Sequence, residues 1–187
     1  MMPVKYRSPR PLLPGFLLGL LAATLPLLAS GAWIDASGKP QADTESMRSA
    51  GDFGVQIVLT ADEAQFRRAW NTQKTPPKLS TTNIARIGGT VSAMLVFDGC
   101  MPAPAGSCDV SAEFEVEGPG GRKVAAGGGP VWSEKPMPPG MLQLGQASLA
   151  MGFDKTDAPG EYKVTAKVRD KVSGHTLSVT ARLKLSR

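Results

Sequence analysis

"DAPGEYKVTAKVRDKVSGHTLSVTARLKL", residues 157–185, holds two alternating runs separated by a turn. Tyr162, Val164, Ala166 and Val168 alternate with Lys163, Thr165, Lys167 and Arg169. After "DKVSG", Leu177, Val179, Ala181, Leu183 and Leu185 alternate with Ser178, Thr180, Arg182 and Lys184. Successive strand side chains point to opposite faces, so each run has one core face and one wet face. The pair predicts a long antiparallel hairpin. A hairpin with one apolar face needs a second layer over it, which the preceding strands must supply.

Working back along the chain, "FGVQIVLT" from Phe53 has apolar residues at every second position, and residues 90–98, "TVSAMLVFD", are apolar enough for burial on both sides. Residues 109–117 alternate Val110, Ala112, Phe114 and Val116 with Ser111, Glu113, Glu115 and Glu117. "NIARIGG" and "RKVAA" predict short strands. Between Leu59 and these strands, Thr60 and Glu63 fit a Thr-x-x-Glu capping box opening a short helix, whose Phe66 and Trp70 share a face suited to an open sheet edge or end. "KTPPK", residues 74–78, stops that helix, because proline removes an amide donor and disfavours helical geometry before it. "GGGPVWSEKPMPPGM", residues 127–141, predicts a long loop.

The ends bound the class. Residues 1–32 predict a signal peptide: Lys5, Arg7 and Arg10 precede the uncharged run "GFLLGLLAATLPLLAS", and small residues mark cleavage after Ala32 or near Gly31. The run has sixteen residues and contains Pro26, short of the ~20 that span a bilayer, so no stable membrane anchor is expected after cleavage. Residues 33–52 are polar and aperiodic and predict a flexible N-terminal arm, with Trp33 as its anchor candidate. The leader takes three basic residues and no acid with it, leaving 18 basic against 16 acidic. That balance speaks against a nucleic-acid partner. Neither Asn71 nor Asn83 starts a glycosylation sequon, which with the Ala-, Gly-, Arg- and Pro-rich composition favours a bacterial envelope over a eukaryotic secretory pathway; the expected location is periplasmic or secreted, in a Gram-negative bacterium.

The only cysteines, Cys100 and Cys108, flank "MPAPAGS" at the facing ends of two predicted strands. Redox centres use C-x-x-C at a helix start, and zinc needs four ligands where the chain offers one histidine. In an oxidising compartment the pair predicts a disulfide clamping a hairpin of 90–98 with 109–117. Copper is the sharper alternative, through Met101, Met137, Met141 and His175 in loops, though no Met-x-x-Met cluster is present. His175 is expected exposed beside its turn. It has no G-x-S-x-G partner, and no glycine-rich phosphate loop or cofactor motif occurs. A hydrolase would rest on carboxylates, and Glu113, Glu115 and Glu117 alternate on a solvent face.

"DAPGEYKVTAKVRD", residues 157–170, is similar to the Pro-Gly-x-Tyr run into the penultimate strand of immunoglobulin-like and fibronectin-type sandwiches. The resemblance covers about thirty residues. It implies an all-β, immunoglobulin-like antiparallel β-sandwich over residues 53–187, with one short helix after the first strand and Tyr162 as the corner residue. Antibody domains carry a cysteine two residues after that tyrosine; Val164 stands here, so their inter-sheet disulfide is absent. The order of leader, helix, two-cysteine strand pair and Trp/Pro loop also resembles uncharacterised small periplasmic proteins of proteobacteria, which implies a location and no activity. The expected function is a non-enzymatic, exported protein that binds another envelope or surface protein through the loop of Trp132, Met137, Pro138, Pro139 and Met141. A periplasmic copper-binding carrier and a carboxylate-based hydrolase are the alternatives. Trp132 folding back to cap the sandwich is the competing reading of its loop.

Overall fold

The computed structural model describes Trp33, residues 38–72 and residues 79–187. The expected signal peptide and the 74–78 helix stop lie outside those residues. Two sheets pack face to face. One has strand order β1-β2-β4-β7: β1 (Met47–Ala50), β2 (Phe53–Thr60), β4 (Thr90–Asp98) and β7 (Gln143–Gly152), all antiparallel. The other runs β3-β9-β8-β5-β6: β3 (Ile84–Arg86), β5 (Val110–Glu117), β6 (Lys123–Trp132), β8 (Gly160–Asp170) and β9 (Thr176–Ser186). Only β3, beside β9, is parallel among the described pairings, a departure from the expected all-antiparallel sheet. The expected all-β sandwich is therefore observed.

The terminal hairpin is β8 and β9, in register from Gly160↔Leu185 to Arg169↔Thr176. Its alternation appears as alternating burial, with Val164, Val168, Val179 and Leu183 inaccessible to solvent. On the wet face, β5 sets Glu113 opposite Lys167 and Glu117 opposite Lys163, and Lys163 Nζ reaches Glu117 Oε1 at 3.0 Å. Opposite charges facing across strands favour this register. At the corner, Tyr162 Oη donates to the Ala158 carbonyl at 2.9 Å, the contact the immunoglobulin-like resemblance implied.

Strands 90–98 and 109–117 are not the neighbours expected. β4 lies between β2 and β7, whereas β5 lies between β8 and β6 in the other sheet. Burial on both faces suits β4 to a central position under a covering helix, and the acidic face of β5 is matched by the lysines of β8. Residues 99–109 consequently form an arch from one sheet to the other.

The helix α1 (Glu63–Asn71) follows the second strand, because β1 precedes β2 inside the expected arm. β1 is four residues long with no apolar–polar alternation, and pairing with β2 rather than its own pattern makes it a strand. The cap is Asp62, whose Oδ1 accepts from the Gln65 amide at 2.8 Å; Thr60 Oγ1 instead accepts from the Asp62 amide at 3.2 Å. Glu63 therefore does not close a capping box. It accepts from Arg67 Nε and Ser148 Oγ, both at 2.8 Å. These bonds, with Arg67 donating to the Gly145 and Gln146 carbonyls, lay α1 on the outer face of the β4–β7 pair rather than on an edge. Phe66 is buried there, and Ser92, Met94 and Val96 are buried on the outward side of β4.

β6 also departs from expectation. The sequence reading stopped it before "GGGPVW", yet pairing with β5 carries it to Trp132, with irregular register on both sides of Ala112. Gly128 makes this approach feasible, since a Cβ there would lie 2.3 Å from the Ala112 carbonyl oxygen. Pro130 is tolerated because β6 is an edge strand.

Candidate functional site

Four connections meet at one end of the sandwich around a cleft of about 760 Å3. They are the arch 99–109, the loop 133–142 between β6 and β7, the turn between β8 and β9, and the turn at Gly51 and Asp52 between β1 and β2. Trp33 also lines the cleft. It is buried, and its Nε1 donates to the Arg48 carbonyl at 3.1 Å.

The disulfide is present: Cys100 and Cys108 are bonded with Cα atoms 6.0 Å apart, and both are buried. It clamps the base of the arch between the sheets, not a hairpin. Just before it, Gly99 has φ +71°, and a Cβ there would fall 1.9 Å from the Asp52 carbonyl oxygen. Only glycine permits both that conformation and that approach.

Asp170, at the end of β8, is fully buried. Its Oδ2 accepts from the Met101 amide at 2.9 Å and from Ser173 Oγ at 2.7 Å, and its Oδ1 accepts from the Val172 amide at 3.1 Å. One carboxylate thus binds the arch to the β8–β9 turn. Sequence reasoning missed this residue, although Asp followed three positions later by Ser before a glycine is a turn-forming pattern. The loop 133–142 is tied in separately, by the Cys108 amide donating to the Glu134 carbonyl at 2.8 Å.

Trp132 is half-buried. Its ring meets Phe97 edge-on at 5.9 Å between centroids, and Nε1 donates to the Lys135 carbonyl at 3.1 Å. It thus folds back on the sandwich, whereas Met137, Pro138, Pro139 and Met141 of the same loop are exposed. Met137 and Pro139 line the cleft, as do Met101, Leu142 and His175, whereas Pro138 and Met141 are outside its lining. Met101, Met137 and Leu142 are 49, 40 and 44% exposed, a cluster of apolar side chains left open to solvent. Met137 and Leu142 also wall a smaller cleft of about 260 Å3 beside Trp70 and Trp132.

Two carboxylates reach the main cleft, Asp52 and Asp98. Burial pushes Asp98 above its ordinary range, and the nearby Asp52 adds to this, while the Gly99 and Gly140 amides pull the other way. The Gly99 amide donates to Asp98 Oδ1 at 2.7 Å, so the carboxylate holds the start of the arch. Glu115 and Glu117 lie elsewhere, paired with Lys123 and Lys163 on the outer face of β5. Among the described residues no group of three or more His, Cys, Asp or Glu is arranged to hold a metal ion. Nor is any described helix long and apolar enough to cross a membrane.

No protein-family model and no curated protein matches the chain. Similar solved structures include a family 123 glycoside hydrolase from Clostridium perfringens, 11% identical over 71% of this chain, with a TM-score of 0.41. This chain covers only 27% of that one. A Niemann-Pick type C2 protein from the Japanese carpenter ant is 8% identical over 70% of this chain and 89% of its own, at 0.37. The CARDB domain of a Pyrococcus furiosus protein is 7% identical over 56% of this chain and 80% of its own, at 0.36.

Proposed function

We propose that this is an exported, non-enzymatic binding protein of a Gram-negative envelope, which takes an apolar segment of another envelope or surface protein into the cleft at the disulfide end. The observation that carries this reading is the exposure of Met101, Met137 and Leu142 around a cleft whose walls are tied by a disulfide and a buried carboxylate. Apolar side chains grouped in the open are a common mark of a binding surface, and methionine adapts its shape to varied partners. The leader pattern and the disulfide support export, since disulfides persist in oxidising compartments.

The test places a photo-crosslinking amino acid at Leu142 in the native cell and, as control, at Lys155 in the loop before β8. Defined adducts are expected from Leu142 alone, and Met137→Asp should abolish them. Equal labelling at both positions would refute the cleft as the binding site. Asp52 and Asp98 support a carboxylate hydrolase as the second reading. It requires Asp98→Asn to remove a hydrolytic activity while leaving the crosslink intact; a crosslink lost in parallel would speak against it.

A further inference from the structure

Six described methionines divide by environment. Met94 and Met151 are buried, as methionine usually is, whereas Met101 and Met137 face the main cleft while 49 and 40% exposed. His175, the chain's only histidine, lines the same cleft. A thioether pair and an imidazole form a donor set of soft and borderline character. Such a set suits a monovalent, polarisable ion far better than calcium, magnesium or manganese, which take oxygen ligands.

The three residues are separated in sequence by 36 and 38 positions, yet their backbones share one frame. The Met101 amide is held by Asp170 Oδ2, one residue from the disulfide. His175 closes the turn that begins at Asp170: its carbonyl accepts from the Asp170 amide at 3.0 Å, and its own amide donates to Ser173 Oγ at 3.3 Å. The imidazole lies over the turn between β1 and β2, where a Cβ on Gly51 would be 3.5 Å from His175 Cε1. The next residue of that turn, Asp52, touches Gly99, two positions before Met101. Met137 lines the cleft from the loop 133–142, three residues beyond Glu134, whose carbonyl holds the Cys108 amide. Disulfide, buried carboxylate and loop anchor therefore hold all three residues in the lining of one cleft, and the unbranched methionine side chains supply the freedom for their sulfurs to converge on an ion.

We infer that Met101, Met137 and His175 form a binding site for Cu(I), with the two thioethers and the imidazole as ligands. The cysteines take no part, being bonded to each other. Binding involves no change of oxidation state, since the ion enters and leaves as Cu(I).

The site shares the cleft assigned above to an apolar protein segment, so the experiment separates the two. The purified, oxidised protein is titrated with Cu(I) without oxygen against a coloured Cu(I) chelator. One equivalent is expected to be withdrawn from the chelator. Met101→Leu with Met137→Leu keeps the apolar volume and removes both sulfurs; that protein should lose Cu(I) uptake yet keep the Leu142 crosslink. His175→Gln should weaken uptake. In protein labelled with 13C at the methionine methyls, Ag(I) should shift the Met101 and Met137 signals and leave Met94 and Met151 in place, a readout that needs no variant. Failure of wild type to take up Cu(I), undiminished uptake by the double leucine protein, or Ag(I) shifts at other methionines would overturn the site.

Discussion

Removing the Asp170 carboxylate should loosen the cleft more than any other single polar change. Three contacts of 2.7 to 3.1 Å converge on it, from the Met101 amide, Ser173 Oγ and the Val172 amide. Asp170→Ala leaves all three donors without that partner. Leaving a buried donor unsatisfied costs about 1 to 3 kcal/mol, and the three are not independent, so a loss of about 3 to 5 kcal/mol is expected. For a domain of this size that lowers Tm by about 10 °C. Asp170→Asn retains one acceptor oxygen but turns an amino group toward a donor, and should lose about 2 kcal/mol. Ser173→Ala removes one of the contacts and should lose about 1 kcal/mol. The assay is urea unfolding of the oxidised proteins followed by tryptophan fluorescence, with hydrogen exchange at the Met101 amide as the local readout. The order Ala, Asn, Ser173→Ala follows from the geometry. A loss under about 1 kcal/mol for Asp170→Ala, or unchanged exchange at Met101, would refute the assignment of Asp170 as the clamp between arch and turn.

Reducing the disulfide, or replacing both cysteines by alanine, should destabilise by about 2 to 3 kcal/mol, the chain-entropy value for a ring whose ends are 8 positions apart; equal urea midpoints for oxidised and reduced protein would contradict this. Gly99→Ala forces a Cβ to 1.9 Å from the Asp52 carbonyl oxygen at φ +71°, and should lose about 2 kcal/mol or more, checked by Tm against Gly120→Ala, where the Cβ is unobstructed. Glu63 and Asp98 should impose opposite pH dependences. Burial pushes Glu63 up, but hydrogen bonds from Ser148, Arg67 and Ser92 outweigh it and hold it below its ordinary range, so its stabilisation is present at neutral pH and lost as pH falls through its folded value. Asp98 is raised, so its contribution is present in acid and lost as pH rises through its folded value. Glu63→Gln should therefore flatten the acid limb of a stability–pH curve, and Asp98→Asn should raise stability at pH 7 relative to wild type; the reverse pattern in urea midpoints would refute both directions.

Much of the fold was legible where a strand's own pattern decides its environment. The β8–β9 hairpin follows from strict alternation, and the tyrosine corner from five residues before Lys163. Partners were not legible where they depend on the other layer. Periodicity says that β4 is buried and β5 is half-wet, yet it does not say which sheet receives each, and nearness in sequence misleadingly joined them. Likewise the "GGGP" of β6 has no strand tendency, and β5 imposes extended pairing on it. Met47 to Ala50 becomes a strand for the same reason. For the cleft, the disulfide and the cleft-facing methionines could be named from residue type, but their assembly depends on Asp170 and on Trp33. A lone aspartate in a turn has no pattern that reveals a contact 69 positions away.

The glycine-rich edge of β6 has a consequence for how this protein can assemble. Pro130 offers no amide, Gly127 at φ +95° departs from extended geometry, and two register breaks twist the strand away from flatness. On the opposite margin, β9 is occupied by β3 and by Glu45, whose carbonyl accepts from the Thr180 amide at 2.6 Å. A sheet with blunted edges resists joining side by side into ribbons. The binding proposed for the cleft would accordingly be an end-on encounter with no growing edge.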